Sequence, residues 1–179
     1  MPNWTENEVR FISKNKSSLT KLKKVLEGKE KLRELPSGKW TTVKNVFDFN
    51  KIIPMPKALI GTTSPTPMET KEDKKKAMAL KIRYGHSNWY DWSCENWGTK
   101  WNSVDAERTE DGESVFYNFR TAWDCPREIV DAIGYKIPSD VKIDYWVCQH
   151  EFEDGEEQVI NGLESLKNDF PIDERKEEK

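Results

Sequence analysis

Trp89, Trp92, Trp97 and Trp101 fall within one short run, Asn88 to Asn102, and no other feature of the chain limits its fold as strongly. A covered indole buries about 200 Å² and its N–H needs an acceptor, so a segment this rich in tryptophan must fold against a shaped interior. The run reads as a helix. Asn88 is the expected cap, Asp91 lies in the first turn where the helix dipole favours an acid, and Gly98 is the expected terminator. Helical spacing puts Trp89, Trp92, Asn96 and Trp97 on one face, with Asp91 and Glu95 roughly opposite.

The remaining sequence supplies an interior mainly through aromatic side chains. Of the 179 residues 35% are hydrophobic and 34% charged, but 8 are Trp, 7 Phe and 5 Tyr, so the expected core is aromatic rather than aliphatic. A chain of this length buries roughly 70% of its unfolded surface and suits one domain. The expected division is a domain over 1–165, with a helical insertion at about 66–98, and a charged flexible tail over 166–179. A net charge of −3 gives no global field toward DNA or an anionic membrane, so any nucleic-acid contact needs a local patch. No run approaches the roughly 20 apolar residues of a membrane span, and Met1 to Glu6 lacks the order of a signal peptide. Cys94, Cys125 and Cys148 are odd in number and widely spaced, which suggests reduced thiols in a cytoplasm and no disulfide.

Periodicity orders the elements. Asn7 to Ser13 reads as a strand with Val9 and Phe11 on one face. Ser17 or Ser18 then caps a helix carrying Leu19, Leu22, Val25 and Leu26, which Gly28 ends. A charged loop leads to a second strand over Val43 to Phe49. Thr70 and Asp73 form a capping-box pair opening a helix that ends near Gly85; its lysines Lys71, Lys74, Lys75 and Lys76 form either a solvated face or a basic patch. Two period-two runs flank Asp111-Gly112, the pair that favours a tight hairpin, and the second places Val115, Tyr117 and Phe119 on one face. Pro126 opens a helix with Ile129, Val130 and Ile133 as its stripe. Val141, Ile143, Tyr145 and Val147 alternate through another strand, and Asp154-Gly155 suggests a hairpin to an edge strand over Gln158 to Leu163. The fold class is therefore α+β: a mainly antiparallel sheet on the split β-α-β plan, with a helical insertion and an extra C-terminal strand.

Four segments carry a family resemblance: Trp89-Tyr90-Asp91-Trp92 with Glu95 to Asn102, Phe119 to Pro126, Met1 to Trp4, and Phe47 to Pro56. Taken in their order along the chain they resemble the YubB-like ferredoxin-like family of phage and plasmid proteins. Cys125 stands where the family pattern suggests a small residue or proline, and Thr5 where it often has cysteine. The resemblance implies a ferredoxin-like fold without an iron–sulfur cluster and a mobile-element origin; it carries over no catalytic residues.

The chemistry of the residues leaves two function classes open. Among His86, Cys94, Cys125, Cys148 and His150 no Cys pair has zinc spacing, and there is no Gly-x-Ser-x-Gly elbow and no phosphate loop, so no metal, cofactor or catalytic group is expected. Trp89, Trp92, Trp97, Trp101 and Trp123 either fill the gap between insertion and sheet, or aromatic faces such as Trp89 and Trp92 with Lys100 and Arg120 form a stacking platform for a nucleic acid or nucleotide signal. Asp91 and Glu95, one turn apart, repel mildly, and read either as solvated surface or as part of a recognition face. With the mobile-element context, the leading expectation is a non-enzymatic protein that binds and inhibits a host protein, such as one of a defence system. Nucleic-acid or nucleotide binding is the alternative.

Overall fold

The computed structural model describes residues 3–33, 39–150 and 157–160. Its centre is a five-stranded sheet in which every pairing is antiparallel. The strands are β1 (Trp4–Ile12), β4 (Val104–Asp111), β5 (Ser114–Ala122), β6 (Lys142–His150) and β7 (Glu157–Ile160), in the order β4-β5-β1-β6-β7. Alternation along β1 turns Val9 and Phe11 inward, and the register opposite β5 puts Tyr117 and Val115 beside them. Helices α1 (Lys16–Leu26) and α4 (Arg127–Ile133) bury Leu19, Leu22 and Leu26, and Ile129, Val130 and Ile133, in the same cluster. The molecule is thus mixed α+β. No helix among the described residues is long and apolar enough to cross a membrane.

The core is aromatic. Phe47 stacks on Phe119 with centroids 4.6 Å apart and meets Tyr117 and Trp146 edge-on. Such offset and T-shaped contacts follow from the ring quadrupole.

Between α1 and β4 the chain holds a strand pair as well as the two helices of the expected insertion. Gly28 does not merely end α1: it opens β2 (Gly28–Arg33), which pairs with β3 (Trp40–Asn45) in a separate two-stranded sheet. The expected second strand, Val43 to Phe49, therefore stops at Asn45 and stays out of the main sheet. Phe47 and Phe49 enter the core from a bend and a single 3-10 turn, Phe49–Lys51. Gly28 is required because a Cβ there would collide with the Asp48 carboxylate, which caps that turn. Helices α2 (Lys71–Tyr84) and α3 (Trp89–Trp97) begin at Thr70 and Asn88 and end at left-handed Gly85 and Gly98, as the spacing indicates. The first strand starts earlier than expected, at Trp4, and α1 is capped by Asn15 rather than Ser17 or Ser18.

Two further expectations are corrected. A bulge in β6 opposite Arg10 and Phe11 shifts the pleat by one residue, so Trp146 and Cys148 take the core face and Tyr145 turns outward to Glu8. Cys125 and Cys148 are disulfide-bonded, with Cα atoms 5.9 Å apart. Their separation of 23 residues spans α4, and only the return of β6 alongside β1 brings them together. The expected Asp154-Gly155 turn and the tail over 166–179 lie outside the described residues.

Candidate functional site

The anticipated site divides into two structural environments. Trp92 is 5% exposed and Trp97 4%, so the indole face of α3 is core. Trp97 donates through Nε1 to the Ile53 carbonyl at 2.9 Å and packs edge-on against Phe49 and Trp92. Trp89 is half-buried against Tyr90. The carboxylates have local partners: Asp91 accepts from Asn88 Nδ2 at 2.7 Å while its own N–H donates to Asn88 Oδ1, and Glu95 lies 2.7 Å from His86 Nε2. Both serve the start and flank of α3, which accounts for two like charges one turn apart.

Lys100 and Arg120, by contrast, share an aromatic surface that the spacing did not reveal. Lys100 Nζ lies 4.5 Å from the ring centroid of Trp101, 5.1 Å from Trp123 and 5.7 Å from Tyr90. Arg120 lies 4.9 Å over Trp4, whose ring is 6.0 Å from Trp101, and pairs with Asp105. An ammonium at these distances from a ring is held by the negative face of its quadrupole. Tyr90, Trp101, Trp123 and Trp4 thus line a continuous surface with two cations set among them.

The assembly of this surface follows from the fold. Trp4 opens β1 opposite Ala122, the last residue of β5, so the sheet register delivers Trp4 and Arg120 to one end. Gly98 ends α3 in the left-handed region, at φ 74°, and turns Lys100 and Trp101 back toward that end. A Cβ on Gly98 would collide with Glu128 and lie 3.1 Å from the Arg127 nitrogen, so the close approach of α3 to α4 also demands glycine.

Trp123 is the most unusual member. It is 43% exposed and has φ 77°, a conformation in which a bulky side chain costs of order 1–3 kcal/mol. The surroundings hold it there. Its N–H donates to the Asn3 carbonyl at 2.8 Å, Thr121 Oγ1 to the Asp124 carbonyl at 2.7 Å, and Thr99 Oγ1 to the Ala122 carbonyl at 2.9 Å, while the Cys125–Cys148 bond closes the bend. Strain of this kind points to a positioned side chain. Cys94, the free cysteine, is half-buried and hydrogen-bonded to the Tyr90 side chain, and burial pushes its thiol above the ordinary range.

Comparison of the chain with protein-family models, with curated proteins and with solved structures finds no match in any of the three. The YubB-like resemblance accordingly rests on its four motifs.

Proposed function

We propose that this chain is a non-catalytic binding protein that holds an unstacked nucleobase, in single-stranded nucleic acid or a nucleotide, on the surface around Lys100. The observation that carries this reading is the seat of Lys100 among Trp101, Trp123 and Tyr90. Base stacking on an exposed indole supplies about 1–3 kcal/mol per base, and adjacent cations meet the phosphates. The neighbouring acids already have partners, since Asp91 accepts from the capping Asn88 and Glu95 meets His86, which leaves Lys100 and Arg120 as the charges set among the rings. The backbone plan belongs to the same proposal: with residues 27–103 set aside, β1, α1, β4, β5, α4 and β6 follow a β-α-β-β-α-β course, the ferredoxin-like split β-α-β that the motifs suggest.

A different observation favours a host protein as partner, the reading that the mobile-element resemblance implies. Ile60, Met68, Met78 and Ile82 are all large and more than half exposed, and Met78 and Ile82 lie one turn apart on α2.

One set of measurements separates the two readings. Titration with a short oligothymidylate should quench tryptophan fluorescence saturably, and log affinity should fall against log salt with a slope of about −1.4 if both cations meet phosphates. Trp123→Ala should weaken binding by about tenfold or more. Absence of quenching, together with a lysate partner that Met78→Ser/Ile82→Ser loses and Trp123→Ala retains, would reject the nucleobase reading in favour of the host protein.

A further inference from the structure

A second site lies on the helix side of the molecule, away from the aromatic surface. An open groove of about 580 Å³ runs between α1 and the turn after α4, lined by Ser18, Lys21, Lys24 and Val25 on one side and Lys136 to Asp140 on the other. Three lysines line it against one carboxylate. That carboxylate, Asp140, accepts a 2.7 Å hydrogen bond from Ser18 Oγ, which with nearby Lys21 holds it below the ordinary range.

The groove carries more positive than negative charge. Helix α1 contains Lys16, Lys21, Lys23 and Lys24 and no acid. Lys23 is paired with Glu110 at 2.8 Å, on the side facing β4. Lys21 and Lys24 sit one turn apart on the groove side, a spacing at which like charges destabilise a helix, and Lys136 faces them from across the groove. Between the charges Val25, Ile137 and Pro138 give an apolar floor. A ligand that suits this groove brings two or more negative charges to the lysines and a compact apolar group to the floor, and the volume falls in the range of small-molecule sites.

We propose that this groove binds a small organic phosphate, with its phosphate among Lys21, Lys24 and Lys136 and its apolar part on Val25, Ile137 and Pro138. Asp140 tempers the site. It opposes the incoming anion, so the groove should favour a ligand whose apolar part adds to the charge attraction over a bare anion.

The test uses the full chain with inorganic phosphate and phenyl phosphate, at a mildly alkaline pH where both are dianions, as probes in calorimetry and in amide chemical-shift mapping. Phenyl phosphate should saturate with shifts confined to Ser18 to Val25 and Lys136 to Asp140, and bind several-fold tighter than phosphate. Lys24→Gln/Lys136→Gln should weaken it by about tenfold or more. Asp140→Asn, which keeps the acceptor for Ser18, should tighten both probes, and Trp123→Ala should change neither. Lack of saturation, unaltered binding by the double variant, equal affinity for the two probes, or no gain with Asp140→Asn would each overturn the proposal. Because both lysines and Asp140 are exposed, a shared melting temperature separates lost binding from lost folding.

Discussion

Trp97 shows at a single residue why the tryptophan segment was only half readable. Helical spacing put it on the same face as Trp92, and both are buried. Nothing in that spacing said which rings outside the helix would form the exposed surface. Those are Trp4, Trp101 and Trp123, placed by a strand start, a glycine turn and a strained bend, and such placements depend on register and backbone sign rather than on period. Trp123 at positive φ is the clearest instance, because residue preference argues against it and only the surrounding hydrogen bonds explain it. The core assignment gives a direct expectation: Trp97→Ala should cost about 3–5 kcal/mol in urea unfolding, from the emptied site and the lost bond to Ile53. A loss below about 1 kcal/mol would show that the face is not packed as described.

Among the elements, those with caps or strong alternation were legible: α2, α3, α4, the hairpin at Gly112 and the inward faces of β1 and β5. Strand β2 was not, since its charged sequence has no apolar alternation to announce it, and β3 was met only at its end, over Val43 to Asn45. The phase of β6 was missed because a bulge moves the core face from Tyr145 to Trp146 without altering the composition. The α3–α4 junction carries its own prediction. Glu128 lies against Gly98 with Oε2 buried and without a hydrogen-bond partner, and burial, with Asp131 and Asp124 nearby, pushes its carboxyl above the ordinary value. A carboxyl whose folded pKa exceeds its unfolded one weakens the fold when charged, so this loss is present at neutral pH and recedes as pH falls through the folded pKa. Glu128→Gln should therefore raise the melting temperature at pH 7, with the advantage vanishing below about pH 4, where both side chains are neutral. An advantage independent of pH would assign the effect to packing instead.

Across the whole molecule, the disulfide is the feature that sequence spacing least prepared for. Cys125 and Cys148 lie on the last loop of β5 and on β6, and their bond closes 23 residues around α4. A loop of that size stabilises by about 3 kcal/mol when cross-linked. Reduction should lower stability by that order, and alkylation of the unreduced, denatured chain should label Cys94 alone. Three labelled cysteines would mean that the bond does not form where the protein is made.

The order of the strands also governs how the chain must be born. β1 is the centre of the sheet, yet its partners β5 and β6 start at Ser114 and Lys142, beyond the whole insertion. At roughly 5–20 residues per second a ribosome needs about 5–20 s to travel from one to the other. During that interval the emerging segment has both edges open and only α1 to cover its apolar side, while the β2–β3 ribbon and the helices of the insertion can already close on themselves. Folding of the centre therefore waits on the last third of the described chain, and protection of a waiting strand becomes a demand this protein places on the cell that makes it.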